Sequence, residues 1–157
     1  MDMKLQDNFS EQQQFVKLQR SLTLPNDINE VPRLAMLVDE ACEALELDMS
    51  LTMSLNLAIE EAVVNVMEYA YPAGTSGEVN VTIQSDGKSL TFVISDSGVP
   101  FDPTAQGEVD TTLTAEERPI GGLGIHLVRQ IMDSVNYERT DGKNILTLRK
   151  ELQTKEI

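Results

Sequence analysis

Apolar and polar residues alternate from Phe15 to Leu24, with Val16, Leu18 and Leu22 on one side, and this period of two predicts a strand. The period then lengthens. Val31, Leu34, Ala35, Val38, Ala41, Cys42 and Leu45 recur at helical spacing, predicting a helix to about Leu47 with Asn26 or Asn29 as its cap. A second helix follows, capped by Asp48 or Ser50. Its stripe is Leu51, Leu55, Ala58, Ile59, Ala62, Val63, Val66 and Ala70, and Pro72 and Gly74 end it near Tyr71. Val79, Val81 and Ile83 alternate in one strand and Leu90, Phe92 and Ile94 in the next, with Asp86-Gly87 as the turn between them. Residues Val99 to Gly122 are polar and rich in Pro, Gly, Thr and Glu, too long for a simple connector and suited to a functional lid. A third helix runs from near Leu123 to about Met132. A hairpin closes the pattern, Ser134–Thr140 and Asn144–Lys150, turned at Asp141-Gly142.

The order is strand, two helices, two strands, lid, helix, two strands. Hairpins of this kind build a mixed, largely antiparallel sheet with three helices on one face, an α/β (α+β) two-layer sandwich. It is not the strand-helix alternation of a doubly wound sheet, and the chain has neither a GxxxxGK[ST] P-loop nor a GxGxxG after its first strand. Residues 1–13 and 151–157 read as flexible ends around one domain spanning 14–150.

Composition narrows the function. The 157 residues carry a net charge of −14, which disfavours a direct nucleic-acid reader, since such a protein needs a basic face. A nucleotide remains admissible, because a small ligand is held by local amides, a metal and one or two cations. The acidity serves solubility, attraction to a basic partner, or both. No apolar run is long enough to span a bilayer, and the first residues lack the form of a secretory signal, so the expectation is a cytoplasmic protein without a membrane contact. Cys42 is the only cysteine, read as a small semi-buried apolar residue, and with His126 the only histidine a zinc site is disfavoured. Met36, Met49, Met53, Met67 and Met132 read as core or interface filler.

Polar chemistry interrupts the core pattern in three places. Glu61 and Asn65 sit one helical turn apart, about 40° round the axis, at the edge of the apolar stripe. They are either a solvated helix edge or a pocket wall in which a carboxylate takes a proton and an amide oxygen ligates Mg²⁺. Asp96, in Ile94-Ser95-Asp96-Ser97-Gly98, shares its face with Leu90, Phe92 and Ile94. It is either a turn residue bonding its own backbone or a buried acceptor awaiting a donor such as an adenine amino group, with Gly98 allowing close approach of a flat ring. Gly121-Gly122-Leu123-Gly124 opens the third helix with three glycines in four positions, more than a joint needs. Helix amides there favour phosphate, with Arg118 upstream as a charged donor.

Together these segments, AIEEAVVNVMEYAYP, ISDSGVPFDP and RPIGGLGIHLVRQIMD, resemble the N, G1 and G2 boxes of the GHKL ATPase superfamily, and most of all its bacterial anti-sigma factor serine/threonine kinases. The resemblance implies the Bergerat ATP-binding fold with ATP and Mg²⁺ as cofactors. It implies Glu61 as the general base, which the ExxxN spacing selects over Glu60, and Asn65 as the Mg²⁺ ligand. Asp96 would recognise adenine and Gly98 would lie behind its ring. Arg118, Gly121, Gly122, Leu123 and Gly124 would cradle the phosphates. The strict G1 box is DxGxG, and Pro100 stands at its second glycine, removing an amide. The implied function is phosphorylation of a Ser or Thr on an anti-sigma factor antagonist by a homodimer that otherwise sequesters a sigma factor. Two other readings share these boxes: an ATP-binding partner switch without kinase activity, and a stand-alone histidine-kinase-type catalytic domain. His126 reads as a polar first-turn residue in each.

Overall fold

A computed structural model describes residues 16–105 and 122–152. The expected loose N-terminus, residues 153–157 of the expected loose C-terminus, most of the expected lid, Arg118 and Gly121 lie outside the described residues. Glu151 closes the last strand and the Leu152 amide donates to the Lys88 carbonyl, so these two are not part of a loose end. Strand β1 (Leu18–Pro25) leads through a 3₁₀ turn (Ile28–Glu30) into α1 (Val31–Ala44), then α2 (Met49–Tyr69), β2 (Glu78–Ser85), β3 (Ser89–Asp96), a second 3₁₀ turn (Pro103–Ala105), α3 (Gly122–Ile131), β4 (Ser134–Thr140) and β5 (Lys143–Glu151). The strands lie in the order β1-β2-β3-β5-β4. Every neighbouring pair is antiparallel, so the described sheet is not mixed.

Local chemistry sets the boundaries. Asp27, rather than Asn26 or Asn29, caps the first helical segment, its carboxylate accepting from the Asn29 amide. The 3₁₀ turn then hands over to α1, where Pro32 occupies the first turn at no cost in hydrogen bonds. α1 stops at Ala44, short of Leu47, because Glu46 turns to φ 57°. Asp48 caps α2, accepting from the Leu51 amide at 2.7 Å. The β2–β3 turn is held by Asp86, which accepts from the Lys88 and Ser89 amides. The β4–β5 turn has two residues, Asp141 (φ 52°) and Gly142 (φ 75°), the paired positive values that match the twist of a tight hairpin.

One face of the sheet carries the core. Val79, Val81 and Ile83 of β2, Leu90, Phe92 and Ile94 of β3, and Leu146 and Leu148 of β5 are buried against the helices. α2 is the central helix, with α1 on one side, α3 on the other and the sheet beneath. Leu55, Ala58, Ile59, Ala62, Val63 and Val66 face the sheet and the flanking helices. Burial of each large apolar side chain contributes roughly 1.5–3 kcal/mol. Met67 and Met132 fill the core as expected. Met36, Met49 and Met53 do not, and stand out in solvent. Cys42 is fully buried, and burial pushes its thiol pKa up, so it behaves as a small apolar residue. None of the described helices is long and apolar enough to cross a membrane.

Candidate functional site

α2 and α3 meet at a glycine. A Cβ placed on Gly124 would stand 2.8 Å from Glu61 Oε2 and 2.9 Å from Asn65 Nδ2. Only a glycine lets the first turn of α3 come this close to α2. Ile125 and Val128, both buried, hold α3 in that position. The carboxylate, the amide and the start of the glycine-opened helix therefore share one place, although Gly124 lies about sixty residues from the other two along the chain. Helical phase also separates the acidic pair. Glu60 is exposed, while Glu61 is half-buried against α3 and Asn65 is buried. Gly122 and Leu123 begin α3. Helix amides with positive dipole at this end suit an anion, and an amide oxygen suits a hard cation that keeps most of its other ligands from water and phosphate. Among the described residues no group of three or more His, Cys, Asp or Glu is placed to hold a metal.

The second part of the site lies past the C-terminal end of α2. Asp96 ends β3 on its inner face and is 4% exposed. Its Oδ1 accepts from the Gly98 amide at 2.8 Å and from Asn144 Nδ2 at 2.9 Å. Its Oδ2 is buried with no partner. A buried carboxylate oxygen without a donor is costly. Burial accordingly pushes the Asp96 pKa above the usual carboxylate range, and Asn144, the Gly98 amide and Arg139 pull it part of the way back. One oxygen of Asp96 thus makes the turn bond, and the other is a buried acceptor with no donor.

Asn144 was not singled out from the sequence. The β3–β5 register sets it directly opposite Asp96. Its Nδ2 donates to Asp96 and to the Val99 carbonyl, and its Oδ1 accepts from the Phe101 amide and the Tyr137 hydroxyl. One buried amide therefore fixes the carboxylate and the loop after β3 together. The signal was present: Asn144 shares the parity of Leu146 and Leu148, a polar residue on an apolar face, as Asp96 does beside Ile94.

Gly98 is also required by the packing of its own loop. A Cβ there would fall 2.2 Å from the Ala70 carbonyl oxygen, so the glycine lets the loop cross the end of α2. The Val99 amide then donates to that same carbonyl at 2.8 Å. Pro100 lies between Val99 and Phe101, whose contacts to Asn144 need no amide at position 100. Phe101 stacks on Tyr69, centroids 5.2 Å apart, and Arg139 donates to the Gly98 carbonyl. Farther along, Arg129 of α3 donates to the Thr104 carbonyl. His126 is exposed on α3, with its Nε2 at 3.2 Å from Gln130 Nε2. A hollow of about 530 Å³ also opens at this end of the sheet, lined by Thr23, Asn80, Ser95 and Lys143 together with Tyr71 and Asp96, whereas Glu61, Asn65 and Gly124 are not among its lining.

An antiparallel sheet under three helices carries a buried acceptor at one strand end and a glycine-opened helix against a Glu and an Asn. The chain belongs to the histidine kinase-like ATPase domain family, whose model matches residues 24–150. This agrees with the resemblance to GHKL proteins drawn from the three motifs. Among curated proteins it is similar to the serine/threonine-protein kinase BtrW of Bordetella bronchiseptica, 30% identical over 62% of this chain and 69% of that one. It is also similar to the serine-protein kinase RsbW of Bacillus cereus, 27% identical over 66% of each chain. The chain thus spans about two thirds of the length of these relatives. A crystal structure of the RsbU and RsbW domains of a Mycobacterium tuberculosis protein shares the fold, with a TM-score of 0.61 at 17% identity, over 86% of this chain and 32% of that one.

Proposed function

We propose that this protein is an ATP·Mg²⁺-dependent serine/threonine kinase that phosphorylates an anti-sigma factor antagonist and, as a homodimer, sequesters a sigma factor when the antagonist is phosphorylated. The observation that carries the reading is the seat of Gly124 against Glu61 and Asn65. It gathers a proton acceptor, an oxygen ligand and a helix N-terminus where a phosphate chain and its metal would lie. The unpartnered Asp96 Oδ2 supports the adenine end.

In this reading ATP with Mg²⁺, when bound, supplies the phosphoryl group and neutralises charge. Asp96 Oδ2 accepts from the adenine amino group, and Asn144 keeps it turned toward that donor. Asn65 ligates Mg²⁺ through its amide oxygen. The α3 amides from Gly122 to Gly124 face the phosphates, and the motif assigns Arg118 and Gly121 to the same phosphates. Glu61 takes the proton from the acceptor hydroxyl. Gly98 acts at one remove, by seating the loop on Ala70. The relatives named as serine and serine/threonine kinases support this acceptor class over a histidine carrier.

Calorimetric titration of ATP with Mg²⁺ tests the site. Wild type binds, Asn65→Ala loses the Mg²⁺ dependence, and Asp96→Asn loses at least tenfold in affinity because its amide puts a donor where an acceptor is needed. Absence of ATP or ADP binding by wild type at millimolar ligand would overturn the reading.

A further inference from the structure

Among the described residues, three exposed apolar side chains lie on one line. Met49, Met53 and Leu57 of α2 are 77%, 66% and 44% exposed, at intervals of four residues. That spacing stacks them on a single helix face, away from the sheet. The next residue in the series is Glu61, about 6 Å further along the axis. On α1, Met36 is 73% exposed. Between the two helices runs a groove of about 120 Å³, walled by Pro32, Leu34 and Ala35 on α1 and by Asn56 and Glu60 on α2. No core function accounts for these side chains. Methionine adapts to a partner's surface and is enriched at interfaces.

Charge says what covers the face. From Val31 to Tyr69 the chain has eight carboxylates and one cation, Arg33, which is already paired with Glu30. A second copy would bring the same acidic rim against this one, and like charges facing each other oppose that contact. The fitting partner has an apolar patch ringed by Lys and Arg.

We propose that the outer face of the α1–α2 hairpin docks the protein phosphoacceptor, with the Met49-Met53-Leu57 stripe steering its hydroxyl to Glu61. This rests on the kinase reading, and adds to it the surface that selects the substrate. The acceptor presents its Ser or Thr at the edge of a basic-rimmed apolar patch.

The test uses the full chain, γ-labelled ATP and, as acceptor pool, the soluble proteins of the cells that make it. A protein carrying Met53→Glu and Leu57→Glu keeps wild-type ATP affinity and melting temperature but labels its acceptor at least tenfold more slowly at low acceptor concentration. Concentrating the pool restores much of that rate, as a KM effect requires. A protein carrying Met53→Leu and Leu57→Met labels as wild type does. Equal labelling by the Glu pair overturns the docking face and leaves the kinase reading standing. Loss of ATP affinity by a folded Glu pair also overturns it, because the stripe would then act through the nucleotide site. A wild type that binds ATP yet labels no protein overturns both. Should the Glu pair melt early, Met53→Gln alone decides: slower labelling supports docking, and an unchanged rate sinks it.

Discussion

Asp96 and Asn144 face each other across two strands, and neither makes sense alone. The carboxylate has one oxygen tied into the Gly98 turn and one oxygen with no donor. Its pKa is raised in the folded chain, so the folded state holds the proton more tightly than the unfolded one. Stability from this group is therefore present at low pH and is lost as pH rises through the raised value. Adenine binding has the opposite sign, because the ligand's amino group requires the ionised acceptor. ATP affinity should fall as pH drops through the raised pKa of Asp96. Asn144→Ala removes a donor that lowers that pKa, so the fall should begin at higher pH than in wild type. The same substitution unpairs the Val99 carbonyl, the Phe101 amide and the Tyr137 hydroxyl, for a stability loss of roughly 2–4 kcal/mol. Calorimetry across pH and denaturant titration measure the two effects. Coincident affinity–pH curves for the two proteins would show that Asn144 does not tune Asp96.

At the scale of elements, α2 and the β4–β5 hairpin do most of the positioning. α2 has 21 residues, about 31 Å, and three working faces. One buries Leu55, Ile59 and Val66, one meets α3 through Glu61 and Asn65, and one shows Met49, Met53 and Leu57 to solvent. The hairpin turn controls the other half of the site. Asn144 follows Gly142 by two residues, and a one-residue slip would turn it to the outer face and leave Asp96 without its partner. Gly142 has φ 75°, and a Cβ there would touch nothing within 4 Å. The cost of Gly142→Ala is then that of the backbone conformation alone, about 1 kcal/mol. A lower denaturant midpoint with an unchanged slope is the expected result. No change in midpoint would mean that the turn tolerates a side chain and does not hold the register.

Across the whole molecule, charge is unbalanced. The net charge is −14, and the ion pairs among the described residues, Arg20–Glu40, Arg33–Glu30, Arg149–Glu151 and Lys150–Asp133, join solvent-reached side chains. Such pairs contribute little, whereas the excess of like charge opposes the folded state. Screening should relieve more than it removes, so the melting temperature should rise by a few degrees between low salt and about 0.3 M, where the Debye length has dropped below 10 Å. A fall over that range would show that the surface pairs outweigh the repulsion. The alternation of two and of 3.6 made β1, β2, β3, β5 and the three α-helices legible along the chain, because each buries one face, while β4, which buries none of its residues, was marked by the Asp141-Gly142 turn. The ExxxN, DxG and glycine-run spacings marked Glu61, Asn65, Asp96 and Gly124, because their polarity broke that pattern locally. Three matters waited for the fold. The cap at Asp27 and the early end of α1 depend on competing local hydrogen bonds that residue types do not rank. The exposure of Met36, Met49 and Met53 depends on which side of each helix the neighbours occupy, and apolar character does not say. The work of Asn144, Gly98 and Gly124 depends on what lies across a strand or against a helix, and such distances exist only once the chain is packed.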